Sequence, residues 1–75
     1  MGAGCDDLVV IDADNEDDGV DAEHRWVRDH FPGFNWSEQS LSDCEGKPVD
    51  IVEIHGPGGE VRKIYFDISM FFGKL

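Results

Sequence analysis

The sequence predicts an α+β domain in which one N-terminal helix packs on a three-stranded antiparallel sheet. Three observations carry that reading. Apolar residues recur at helical spacing from Val20 to Phe31, and the period changes to two after Pro32-Gly33. Two strand-like segments then flank a glycine-rich turn at residues 56–60. A chain of 75 residues holds one domain of this kind. So small a domain buries only about 60% of its unfolded surface, so its stability is marginal.

The first element is ambiguous. Leu8-Val9-Val10-Ile11 is apolar and β-branched, which reads either as an extra short strand buried on both faces or as an apolar patch on a mobile segment. The helix comes next. Asp17 and Asp18 before Gly19 are short acidic side chains suited to cap free N–H groups and to meet the positive end of the dipole. Val20, Val27 and Phe31 form the apolar stripe, widened by Trp26 and His30. Pro32 cannot continue the helix and pushes Phe31 out of the α region, so the helix stops near His30.

Phe34 and Trp36 alternate with Asn35 and Ser37, which starts a first sheet strand running to about Ser42. Asp43, Glu45, Gly46 and Lys47 are turn-formers. The segments Val49 to His55 and Val61 to Ile68 are the most strand-like, and the five-residue loop between them sets His55 opposite Val61. That register places Glu53 across from Lys63, Val52 across from Ile64 and Ile51 across from Tyr65. A slip by one residue would send those side chains to the wrong faces. Asp67 or Ser69 then caps a short helical turn through Phe71 and Phe72, ended by Gly73.

Charge divides the chain unevenly. Seventeen acidic and six basic side chains give a net charge of −11. Nine of the acids lie between Asp6 and Glu23 with no lysine or arginine among them, and all eight aromatics follow, from Trp26 to Phe72. This suggests an acidic N-terminal arm over residues 1–18 and a single small α+β domain over residues 19–75. A balance this negative argues against direct binding to nucleic acid or to an anionic membrane surface. The longest apolar run, Leu8 to Ile11, falls far short of the roughly 20 residues that span a bilayer. Cys5 and Cys44 sit in a glycine-rich start and a polar turn, with nothing in the sequence to bring them together. They are expected as free thiols in a soluble cytoplasmic protein.

Motifs for chemistry are weak. Asp14-Asn15-Glu16-Asp17-Asp18-Gly19 partly matches an EF-hand calcium loop, with Asp14, Glu16 and Asp18 at ligand spacing and a glycine at the sixth position. The twelfth position, where a glutamate should close the site, is Arg25, so the favoured reading is a solvated acidic run capping the helix. His24, His30 and His55 occur without zinc-binding spacing, and Asp43 and Glu45 beside Cys44 would keep its thiol protonated. Gly56 to Gly59 joins two strands, which suits a hairpin rather than a phosphate loop. Met1-Gly2-Ala3-Gly4-Cys5 carries the start of an acylation signal, but Asp6 stands where serine or threonine is usual. No cofactor, metal or enzyme activity is expected.

The expected function is that of a small acidic, non-catalytic binding or regulatory protein. Asp12, Asp14, Glu16 and Asp17 would engage a basic surface on a protein partner, with nucleic-acid mimicry as one specific form. A calcium sensor built on Asp14 to Gly19 is the alternative. The aromatics mostly fill the core. An exposed remainder would provide a patch for a partner or for a second copy of the chain.

Overall fold

Asn15, rather than Asp17 or Asp18, caps the helix. In the computed structural model, which describes residues 4–73, the Asn15 Oδ1 accepts from the Asp18 N–H at 2.9 Å. The helix α1 therefore begins one residue before Asp17 and spans Glu16–His30. Glu16, Asp17 and Asp18 fill its first turn, and Arg28 and His30 its last, so both ends complement the helix dipole. Phe31 closes the helix with its N–H on the Val27 carbonyl, just before Pro32.

The sheet has four strands rather than three. β1 (Val9–Val10), β2 (Asn35–Cys44), β3 (Lys47–His55) and β4 (Val61–Asp67) lie in the order β1-β4-β3-β2. The segment left open in the sequence is thus a strand, but only two residues of it pair, and they pair parallel with β4. The neighbouring strands are antiparallel. β1 and β2 consequently run in the same direction at opposite edges, and α1 carries the chain from one edge to the other.

The β3–β4 register is the expected one, with Glu53 opposite Lys63, Ile51 opposite Tyr65, Val52 opposite Ile64 and His55 opposite Val61. β2 and β3 extend further into the turn-forming stretch than expected, leaving Glu45-Gly46 as the connection. Both residues have positive φ, 54° and 84°, the geometry that matches the twist of a two-residue hairpin. After β4, the Ser69 N–H and hydroxyl both donate to Asp67 Oδ1, at 2.9 and 2.7 Å. Burial pushes the Asp67 carboxyl up, but these bonds and Lys47 outweigh it and hold it below its usual range. This cap starts the C-terminal turn.

The core lies between α1 and one face of the sheet. It contains Val9, Ile11, Val27, Val52, Ile54, Ile64, Phe66, Ile68 and Phe71. The acidic segment is thereby built into the domain, since Val9 and Ile11 are core residues and residues 18 and 19 fall inside α1. Gly19 is buried in the helix, where an added Cβ would run into the Phe71 ring. It serves close packing rather than a turn.

The expectation of two free thiols is overturned. Cys5 and Cys44 form a disulfide with their Cα atoms 5.6 Å apart. The reason is non-local. Pairing of β1 with β4 aligns Val9 with Phe66, and Phe66 lies opposite Asp50, which lies opposite Leu41 near the end of β2. The chain before β1 turns back between Gly4 and Asp7, and Cys5 on that turn meets Cys44. Met1, Gly2 and Ala3, the first three residues of the acylation motif, lie outside the described residues, while Cys5 at its end is held in the disulfide. No helix among the described residues is long and apolar enough to cross a membrane.

Candidate functional site

Gly19, Glu23 and Val27 recur every four residues and form the buried stripe of α1. Glu23 is therefore carried into the core, where it is fully buried. On β3, the same alternation that buries Val52 and Ile54 also buries Asp50, leaving it 7% exposed. Two carboxyl groups thus meet between helix and sheet. Neither Glu23 oxygen has a hydrogen-bond partner among the described residues when both carboxyls are ionised. Asp50 accepts one bond, from Gln39 Nε2 to its Oδ2 at 3.1 Å.

Burial, together with a hydrogen bond to Asp50 and the charge of Asp50, pushes the Glu23 pKa up to about 9. At neutral pH Glu23 is accordingly protonated and donates to the Asp50 carboxylate. The pair then holds one negative charge and one proton between its members.

Two grooves flank the start of α1, and they divide the four acids expected to bind a partner. Asp12 and Asp14 line a groove of about 700 Å³, together with Asp18 and Asp21. Arg25 and Arg28 line the same groove, so it brings its own cations. Glu16 and Asp17 line the other groove, about 350 Å³, with Gln39 and Asp50 on the sheet side. Its apolar walls are Val20, Leu41, Ile68, Phe71 and Phe72. Among the described residues, no lysine or arginine lines this smaller groove.

The local geometry gives the calcium reading no support. Ligands at alternate positions of a loop need non-helical backbone, but α1 begins at Glu16. Asn15 and Asp18 are engaged with each other, through both the cap and an Asn15 Nδ2 to Asp18 Oδ2 bond of 3.2 Å. Among the described residues, no group of three or more His, Cys, Asp or Glu is placed to hold a metal.

The histidines are also kept apart. His24 stacks on Trp36 with ring centroids 3.8 Å apart. His30 stacks on Trp26 at 4.0 Å and donates from Nδ1 to the Trp26 carbonyl at 2.9 Å. His55 donates to Glu53 at 3.0 Å, on the sheet face opposite the one that Ile54 presents to the core. Trp26 meets Phe66 edge-on at 5.5 Å and also contacts Phe31, which meets Phe34, so these four aromatics form a packed set. Among the described residues Phe72 is the aromatic left exposed.

The sequence reading missed Glu23 and Asp50 as a pair. The signal was present in the period: Glu23 falls four residues from both Gly19 and Val27, and Asp50 alternates with Val52 and Ile54. The sequence was compared with protein-family models and curated proteins, and the fold with solved structures, and no match was found.

Proposed function

We propose that this is a small, non-catalytic binding or regulatory protein that engages a basic surface on a protein partner. The observation that carries this reading is the concentration of charge. Nine carboxyl groups lie between Asp6 and Glu23 with no lysine or arginine among them, in a chain of net charge −11. Asp12, Asp14, Glu16 and Asp17 stand around the start of α1 and line the grooves on its two flanks. Each exposed contact is worth only about 0–1 kcal/mol, but several together steer association and raise its rate. Nucleic-acid mimicry is the form this takes if the partner's basic surface is itself a phosphate-binding groove. The Cys5–Cys44 bond suits an oxidising compartment, so a cytoplasmic location is not part of the proposal.

The test is a combined variant, Asp12→Asn, Asp14→Asn, Glu16→Gln and Asp17→Asn, which keeps Asn15 and Asp18 as the helix cap. The partner is captured from native lysate at low salt and released at high salt. The variant is expected to keep its fold and to associate with that partner several-fold more slowly, with a shallower dependence on salt. Equal association rates for parent and variant at low salt refute the proposal.

A further inference from the structure

We propose that the smaller acidic groove receives an arginine side chain of the basic partner, with its guanidinium on Asp50 and its stem against Leu41 and Phe72. The inference deepens the reading above and rests on it. Its first support is the buried pair itself. Asp50 lines the groove while 7% exposed, and Glu23, fully buried behind it and outside the groove's lining, is held neutral, so the charge of the pair sits on the member that the groove reaches. A buried carboxylate is ordinarily met by a cation, and among the described residues Asp50 meets only neutral donors, the Gln39 amide and the protonated Glu23.

The second support is the contrast between the two grooves. The larger one sets Arg25 and Arg28 beside its acids, whereas the smaller has Glu16, Asp17 and Asp50 with no base among the described residues. An external cation is drawn to the side that lacks its own. The third support is the wall. Leu41 is 61% exposed and Phe72 47% exposed, both on the groove, beside the buried Phe71. An apolar wall leading to a carboxylate matches a long aliphatic stem that ends in a positive head. Arginine fits better than lysine because its planar fork gives two parallel N–H bonds to a carboxylate and stacks on an aromatic face. A volume of about 350 Å³ lies at the small end of ligand sites and suits one side chain rather than a folded segment.

The test is an NMR titration of the full chain, disulfide intact, with a blocked tetra-arginine peptide at low salt. Amide shifts are expected at Gln39, Leu41, Asp50 and Phe72. Asp50→Asn should weaken binding by about tenfold or more, as loss of a buried charge partner does. Phe72→Ala changes an exposed wall and leaves the core intact, and should cost about twofold to fivefold. The double variant Asp12→Asn, Asp14→Asn should cost no more than about fivefold. If Asp50→Asn and Phe72→Ala bind as the parent does, and shifts map to Asp12 and Asp14, the groove assignment falls while the basic-partner reading stands. Equal affinity for tetra-lysine overturns the choice of arginine. No binding of tetra-arginine by the parent at low salt overturns both.

Discussion

Glu23→Gln tests the buried carboxyl pair without disturbing its shape. The Glu23 pKa moves from 4.5 to about 9 on folding. Between those values the folded protein holds a proton that the unfolded chain has released. Its contribution is therefore fully present below the unfolded value and is lost as pH rises towards the folded one, with a limiting slope of about 1.4 kcal/mol per pH unit. From pH 5.5 to 8 the parent should lose stability on the order of a few kcal/mol through the Glu23–Asp50 pair. Glutamine keeps the volume, cannot ionise, and presents an amide N–H to Asp50 where the protonated carboxyl presents its O–H. Urea unfolding followed by tryptophan fluorescence suits the measurement, because Trp26 packs edge-on against Phe66 in the core. The stability difference between variant and parent should grow across that pH range in favour of the variant. Parallel stability curves for the two would show that Glu23 is not protonated by the fold, and the reasoning about the pair would fail.

Two further predictions concern the scaffold. The Cys5–Cys44 bond spans 39 residues, and a loop of that length stabilises by about 4 kcal/mol in the chain-entropy account. Reduction, or Cys5→Ser with Cys44→Ser, should therefore shift the urea midpoint by most of the stability of so small a domain; an unchanged midpoint refutes the tie between the N-terminal turn and β2. Gly19→Ala should gain up to about 1 kcal/mol of helix propensity but force a Cβ into the buried Phe71 ring, at a cost of about 1–3 kcal/mol, so a net loss is expected in thermal unfolding. A rise in melting temperature would mean that the C-terminal turn yields freely.

What could be read from the sequence was local. The β3–β4 hairpin was legible because loop length and cross-strand pairs agree on one register, with Glu53 opposite Lys63. The helix was legible from its stripe only in part: Val27 is buried and Trp26 and Phe31 pack against the core, but Val20 is half-buried and His30 exposed, and the cap was displaced by two residues. Asn15, Asp17 and Asp18 are all competent caps, and starting at Glu16 puts Gly19 a full turn inside the helix, where Phe71 packs on it. The parallel pairing of β1 and the disulfide depend on which edge of the sheet the N-terminal segment joins, and no neighbouring residue encodes that. Glu23 and Asp50 were obscured for another reason. Their charge assigns them to the surface, while their place in the period assigns them to the core, and the period prevailed.

Placing α1 also gives the charge a direction. A count of nine acids before residue 24 describes a uniformly repulsive segment, but in the fold Asp12, Asp14, Asp18 and Asp21 share their groove with Arg25 and Arg28. Their field is partly answered from within the chain. Glu16, Asp17 and Asp50 are not answered in this way among the residues of their groove. A basic partner of the kind proposed would therefore gain most by approaching the side of α1 that faces Gln39, Leu41 and the C-terminal turn. That side also exposes Leu41 and Phe72, so steering by charge and adhesion by apolar contact coincide. The proton on Glu23 sharpens this further. With Glu23 neutral, the pair offers one carboxylate for one cation, and a single basic side chain can satisfy it without leaving a second buried charge unpaired.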